Sequence, residues 1–258
     1  MGYYRLVSKV STQWLEAEEI LKSSGNKYES IEEIKKIPFY KWLFQVLENA
    51  IDSLEVDIKD FNVLYRAVNE QDCDYDRFIP KWEFAGNNRM NGKDKLYYYF
   101  GTNYYNCIPS AKETCAKEIR AKNDDYISFC RFEIIDNYKS GKLINLRKNY
   151  KLPRNEKETE KYFKKHYNKY GEKGIEIATA RLLVNFFAES SAFEPVDNDE
   201  DHDHKYAPFW SITDYIESMG YLGVIYDSTV SKGISMALFD VKYAKPILDS
   251  IETIKFTN

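Results

Sequence analysis

The stretch Lys95-Leu-Tyr-Tyr-Tyr-Phe-Gly101 decides the fold class of this 258-residue chain. Aromatic side chains are enriched in β-strands, so the sequence predicts a strand over 96–100. It follows a loop rich in Asn and Gly and precedes an amphipathic, helix-like segment. Because side chains alternate along a strand, Tyr97 and Tyr99 share one face and Tyr98 lies on the other. Only one of these faces can therefore line a binding site.

Further strands and helices flank this segment on both sides. Apolar runs predict strands over 61–68, 126–135, 142–146, 222–226 and 236–240. Helical spacing of apolar residues predicts helices within 11–58, 155–190 and 210–219, and Ser110 is the expected cap of the helix after the tyrosine strand. Strands that follow one another without long crossovers favour an α+β fold with a mixed or antiparallel sheet. We therefore divide the chain into a helical N-terminal region, 1–60, and a second domain, 61–258, with a helical insert at about 150–190.

Composition and charge narrow the class of protein. A net charge of -4 argues against a nucleic-acid-binding protein, which usually carries a basic stripe. The four cysteines do not have zinc-site spacing, and the acidic loop 197–204 lacks the glycine and terminal glutamate of a calcium loop, so we expect no metal. The first residues, Met-Gly-Tyr-Tyr-Arg-Leu, do not have the apolar core typical of a signal peptide, and no apolar run approaches 18 residues. We expect a cytoplasmic protein that does not insert into a membrane.

Four polar residues are candidates for chemistry, and each also has an ordinary structural interpretation. Arg66 lies in an apolar strand, where a guanidinium needs either a carboxylate partner, the commoner case, or an anionic ligand. Arg89 lies in the loop before the tyrosine strand and is either solvated or close to a ligand. Glu118 is either an exposed helix glutamate or a site residue. Ser228 follows a strand, where a serine commonly caps a turn.

A set of short motifs lies along the second domain: Leu64-Tyr-Arg-Ala67, Asn88-Arg-Met-Asn91, Leu96-Tyr-Tyr-Tyr99, Ala116-Lys-Glu118, Leu143-Ile-Asn-Leu146, Gly220-Tyr-Leu-Gly-Val-Ile-Tyr-Asp-Ser228 and Ala237-Leu-Phe239. Taken in chain order, these motifs resemble the RES domain, the family named for its Arg, Glu and Ser. The resemblance covers about 61–240. Met90 stands where the family usually has Trp, and Asn145 where it usually has Asp. The segment Gly101–Pro109 lengthens the connection from strand to helix, which leaves Glu113 as an alternative to Glu118.

The resemblance implies a fold similar to the ADP-ribosyltransferase toxins and an activity on NAD. Members of the family are toxins paired with a helix-turn-helix antitoxin. They destroy NAD by phosphorolysis or hydrolysis, or transfer ADP-ribose to a protein. NAD, and for phosphorolysis inorganic phosphate, would be the small-molecule partners, with no further cofactor and no metal. The acceptor of ADP-ribose and the oligomeric state stay open.

The resemblance also implies roles for individual residues. Cleavage of the nicotinamide–ribose bond passes through an oxocarbenium-like centre, as glycoside cleavage does. Glu118 would bind the ribose hydroxyls and stabilise that cation, Arg66 would hold a phosphate by forked hydrogen bonds, and Ser228 would fix the ribose or the amide. The expected substrate-binding residues are Arg89, Asn91, Tyr97 and Tyr99. Tyr97 is the preferred residue for ring stacking, and its neighbours Tyr98 and Tyr99 are alternatives.

Two other hypotheses compete with an NAD-consuming enzyme. The departures at Met90 and Asn145 would also suit a catalytically silent nucleotide-binding module. A toxin directed at nucleic acid is the third possibility, and the acidic pI of about 5.6 speaks against it.

Overall fold

A computed structural model describes residues 3–25, 30–84, 88–92, 94–103, 108–148, 153, 155–189 and 199–257. The chain forms two compact units. The helical unit comprises Met1–Glu55, Asn87–Gly92 and Leu146–Ser218. The sheet unit comprises Val56–Gly86, Lys93–Asn145 and Met219–Asn258. The predicted α+β class is confirmed.

One mixed sheet of nine strands organises the sheet unit, counted over the described residues. The strand order is β1-β5-β6-β7-β3-β2-β4-β8, and β9 also pairs with β4. The β5–β6 pair is parallel, while β2–β3, β2–β4, β3–β7, β4–β8, β4–β9 and β6–β7 are antiparallel. The strands are β1 (Glu55–Asp57), β2 (Val63–Val68), β3 (Tyr98–Asn103), β4 (Tyr126–Ile134), β5 (Lys142–Asn145), β6 (Gly223–Asp227), β7 (Ile234–Leu238), β8 (Ala244–Pro246) and β9 (Glu252–Lys255).

The two faces of this sheet are both apolar, which explains why β2 is a nearly continuous run of buried residues. On one face, here the α4 face, Tyr65 and Phe129 pack against the helix α4 (Ile108–Glu118). On the opposite face, Leu64, Phe100 and Phe132 belong to a larger cluster. Neighbouring residues of one strand therefore serve different cores.

Helices from distant parts of the sequence form the helical unit. Trp14 of α1 packs against Phe187 of α6 and Phe209 of α7, with ring centroids 5.3 and 5.0 Å apart. Phe44 of α3 stacks on Tyr215 of α7 at 3.9 Å. The helices are α1 (Tyr3–Ser23), α2 (Ile31–Ile34), α3 (Pro38–Ala50), α5 (Glu156–Tyr170), α6 (Glu172–Glu189) and α7 (Asp199–Ser218).

These contacts change the predicted division of the chain. The helical N-terminal region and the insert are parts of one unit, since aromatic side chains of α1 and α3 complete the core of α6 and α7. The insert is also longer than 150–190, because it runs over Leu146–Ser218. The boundary expected near residue 60 lies at 55/56.

The connection from the tyrosine strand to α4 is shorter than the sequence suggested. Strand β3 continues to Asn103 and α4 begins at Ile108, so most of the segment Gly101–Pro109 is regular structure. Ser110 therefore lies in the first turn of α4 and not at its cap. Across the described residues, no helix combines the length and the apolarity needed to cross a membrane.

Candidate functional site

Helix α4 lies directly on the backbone of β3, and Gly101 makes this approach possible. A Cβ atom at Gly101 would lie 2.2 Å from the carbonyl oxygen of Ala111 and 2.6 Å from the sulfur of Cys115. The Gly101 N–H donates to Cys115 Sγ at 3.2 Å, and the Cys115 thiol donates to the carbonyl of Tyr65 at 2.9 Å. Complete burial of this thiol raises the pKa of Cys115 to about 12. Cys115 is thus a protonated packing residue between helix and sheet.

The end of α4 is tied to the β6–β7 hairpin by side chains. The hydroxyl of Ser235 on β7 donates to Glu118 Oε1 at 3.0 Å. One turn earlier on α4, the hydroxyls of Thr114 and Ser231 are 2.9 Å apart. Glu118 remains exposed to solvent beyond its contact with Ser235. The carboxylate is therefore held at one oxygen by the sheet and stays accessible to a ligand.

Ser228 occupies the turn between β6 and β7. Its hydroxyl oxygen accepts hydrogen bonds from the backbone N–H groups of Val230 and Ser231, at 3.3 and 3.1 Å. Its own N–H donates to the carbonyl of Gly233 at 3.1 Å. These are the contacts of a turn-forming serine, and the residue is 8% exposed. Ser228 shapes the loop that carries Ser231 toward α4.

The structure distinguishes the two glutamates that the sequence left as alternatives. Glu113 forms an i,i+4 ion pair with Lys117 at 2.7 Å along the surface of α4. Glu118 contacts Ser235 of the sheet instead. Of the two glutamates, only Glu118 is thus joined to a strand of the central sheet by a side-chain contact among the described residues.

Arg66 places a positive charge within the central sheet. Part of the residue reaches solvent, but its Nη1 atom is buried and has no hydrogen-bond partner among the described residues. The guanidinium carbon lies 5.6 Å from the centroid of the Tyr98 ring, within cation–π range. Burial lowers the pKa of Arg66 to about 10, although the Tyr98 phenol acts in the other direction. Burial likewise raises the pKa of Tyr98 to about 12.

Arg66 and Glu118 lie on opposite faces of the sheet. Strand alternation places Arg66 with Tyr98 on the face opposite α4, whereas Glu118 and Ser235 lie on the α4 face. Both charges still act on the Cys115 thiol, whose pKa the Glu118 carboxylate raises and the Arg66 cation lowers. The two charged groups are therefore neighbours across the sheet, but they do not line a single face.

The three tyrosines of the opening stretch differ in burial and in their neighbours. Tyr97 precedes β3, is 3% exposed and packs against Phe239, with ring centroids 5.0 Å apart. It is a core residue here, and its ring already has a neighbour. Tyr99 is partly exposed and lies on the same face of the sheet as Glu118. Tyr98, which the sequence did not favour, is the ring beside Arg66.

Arg89 and Asn91 belong to the helical unit, unlike the other candidate residues. They lie in a short turn closed by the bridge between Asn88 and Asn91. Asn91 is buried and donates to the carbonyl of Gly92 at 2.8 Å. Met90, the departure from the family pattern, is fully buried, and its carbonyl accepts from the Thr213 hydroxyl at 2.8 Å. Met90 thus anchors this turn to α7.

The sequence missed Ser235, the partner of Glu118. Its only signal is a lone hydroxyl in an apolar run, one residue before the strand predicted over 236–240. For metals, the described residues contain no cluster of His, Cys, Asp or Glu able to hold an ion. The acidic segment 197–204 is not the predicted loop from residue 199 onward, because α7 begins at Asp199; residues 197 and 198 and the side chains of 199–204 lie outside the described residues.

Comparison with known proteins assigns no family. No protein-family model matches the chain. Neither the curated proteins nor the solved structures include a significant match. The likeness to the RES domain therefore depends on the motifs themselves and on what the site can do chemically.

Proposed function

We propose that this protein consumes NAD by cleaving the bond between nicotinamide and ribose. The observation that carries the proposal is Arg66, whose Nη1 atom is buried and has no hydrogen-bond partner among the described residues. Leaving a buried donor unsatisfied costs about 1–3 kcal/mol. A bound anion would recover that cost, and NAD offers a pyrophosphate. A protein tolerates a buried donor such as Arg66 Nη1 more readily when a bound ligand accepts its hydrogen bonds.

The protonation state of Arg66 suits this role. With a pKa of about 10, the side chain carries its charge at neutral pH. Tyr98 contributes an aromatic face and no competing negative charge, since its own pKa is about 12. Guanidinium groups bind phosphate oxygens in pairs, so Arg66 is suited to a pyrophosphate or to inorganic phosphate.

Glu118 provides the second requirement, a carboxylate for the developing cation. Because Ser235 holds one carboxylate oxygen, the other can bind ribose hydroxyls without losing the orientation of the group. Its exposure gives a substrate access to it. An oxocarbenium-like centre beside this carboxylate would be stabilised electrostatically.

The placement on two faces of the sheet limits how these groups can cooperate. A dinucleotide that contacts both groups would have to pass an end of the strands, because β2 and β7 lie in the interior of the sheet. Phosphate, water or a protein side chain would then accept the ADP-ribose. As a toxin-like enzyme it would deplete NAD in the cytoplasm, and the resemblance makes a cognate antitoxin its expected partner.

The decisive experiment is incubation of the purified protein with NAD, with and without inorganic phosphate, while nicotinamide release is followed by chromatography. We expect release by the parent protein and at least a hundredfold loss in Glu118→Gln. Glu113→Gln is the matched control on the same helix and should keep its activity, since Glu113 pairs only with Lys117 among the described residues.

Two outcomes would overturn the proposal. The first is a folded parent protein that releases no nicotinamide and leaves NAD levels unchanged when expressed in cells. Binding of NAD in calorimetry without turnover would then indicate a silent nucleotide-binding module. The second is nicotinamide release that stays unchanged in both Arg66→Met and Glu118→Gln, which would show that these residues do not form the site. Equal loss of activity in Glu113→Gln and Glu118→Gln would remove only the special role of the contact between Glu118 and Ser235.

A further inference from the structure

A groove runs between α5 and α6 in the helical unit, far in sequence from the candidate site. It has a volume of about 680 Å³. Two apolar side chains on it, Tyr167 and Ile175, are 50% and 45% exposed. Single exposed apolar residues are normal, but here they share one concave surface. The lining residues are Glu156, Thr159, Glu160, Phe163, Lys164, Tyr167, Ile175 and Thr179.

Charges along the groove follow an ordered pattern. Glu156 and Glu160 lie toward the N-terminal end of α5, and Lys164 lies one turn further on the same side. Their spacing of four residues places all three along one stripe of the helix. The acidic part and the basic part of this stripe flank Phe163.

Such a stripe is complementary to itself in the antiparallel direction. In a two-fold dimer each surface meets its own copy, so residue i contacts j and j contacts i. If the axis passes near Phe163, Lys164 of each copy faces Glu160 of the other. Phe163 then packs near its own equivalent, and Tyr167 covers the acidic end of the opposite groove. We propose that the groove between α5 and α6 is a self-association surface for a second copy of this chain.

The small area of this surface indicates a weak association between the two copies. Helix α5 has 15 residues and is therefore about 22 Å long, and two adjacent helices are about 20 Å wide. The resulting face is roughly 450 Å² in projection, smaller than the about 800 Å² that each partner buries in a standard interface. We expect a reversible dimer with a dissociation constant in the micromolar range.

Sedimentation velocity over a concentration series of the full-length protein tests the proposal. Glu160→Lys and Lys164→Glu each place like charges opposite one another twice per dimer. Each should weaken the dimer by about tenfold or more. The double variant Glu160→Lys/Lys164→Glu restores complementarity and should recover the parent dissociation constant. Lys165→Glu is the control, because Lys165 is exposed but does not line the groove.

The single reversals also create a like-charge pair within α5, so circular dichroism should show that each variant remains folded. Tyr167→Ser removes an apolar side chain from the groove without changing the charge. It provides a second test and should likewise weaken association. A parent protein that stays monomeric up to several hundred micromolar would overturn the proposal. So would a dimer whose dissociation constant is the same in the parent, the single reversals and Tyr167→Ser.

Discussion

Replacement of Gly101 by Ala should disturb both the packing of α4 and the position of Glu118. The new Cβ would lie 2.2 Å from the Ala111 carbonyl oxygen, whereas ordinary contacts begin near 3.4 Å. Helix α4 would have to move away from β3 by the difference between these two distances, about 1.2 Å. Overpacking of this kind costs about 1–3 kcal/mol of folding free energy.

The same movement of α4 would increase the distance between the Ser235 hydroxyl and Glu118 Oε1 from 3.0 Å to about 4 Å, which is too long for a hydrogen bond. A catalytic group misplaced by about 1 Å can lose about a hundredfold in rate. Urea unfolding should therefore show a lower midpoint for Gly101→Ala, and nicotinamide release should fall by one to two orders of magnitude. The unfolding measurement is informative even without turnover.

Gly171→Ala is the matched control. Gly171 has a φ of +64° and a ψ of -143°, a conformation that is essentially restricted to glycine, and a Cβ atom there would meet no atom within 4 Å, so Ala costs about 1–3 kcal/mol through backbone strain alone. It should lose a similar amount of stability and keep its activity. If Gly101→Ala is as stable and as active as the parent, the close approach of α4 does not constrain the site and the reasoning fails.

Three further predictions concern protonation and packing. Because burial lowers the pKa of Arg66 to about 10, the folded protein loses this charge as pH rises through 10. Phosphate binding measured by calorimetry should therefore be about tenfold weaker at pH 11 than at pH 8, and Arg66→Met should remove that pH dependence. The Cys115 thiol, with a pKa of about 12, should resist iodoacetamide at pH 8 in the native protein and react after unfolding, as mass spectrometry can show. Trp14→Ala should destabilise the helical unit by about 3–5 kcal/mol in thermal or urea unfolding, since Trp14 contacts both Phe187 and Phe209. A loss of unfolding free energy below about 1 kcal/mol would show that these ring contacts do not stabilise the packing of α1 against α6 and α7.

Local patterns predicted the elements well. The stripe that includes Leu43, Val46, Leu47 and Ala50 is buried along α3, as helical spacing requires. Gly220 has the left-handed φ of +89° expected just after a helix end. These features depend on neighbours within a few residues, which a single sequence contains.

Contacts between residues that are distant in the sequence could not be predicted from such local patterns. Alternation shows that Tyr97 and Tyr98 point in different directions, but it does not say which face receives Arg66. The pairing of Glu118 with Ser235 joins residues 117 positions apart. The salt bridge that was the commoner expectation for Arg66 is not found among the described residues, where its ring neighbour is Tyr98. Such contacts follow from strand order, and strand order follows from the whole chain.

The parallel pairing of β5 with β6 has a consequence for the order of folding. Between Asn145 and Gly223 the chain builds the segment Leu146–Ser218 of the helical unit before it returns to the sheet. During synthesis, more than 70 residues therefore emerge after β5 before its parallel partner β6 is available for pairing. Contacts of such high sequence separation form late. Ser235 emerges later still, so the site acquires its oriented carboxylate at the last stage of folding, and ribosome-bound intermediates that lack β7 should be inactive.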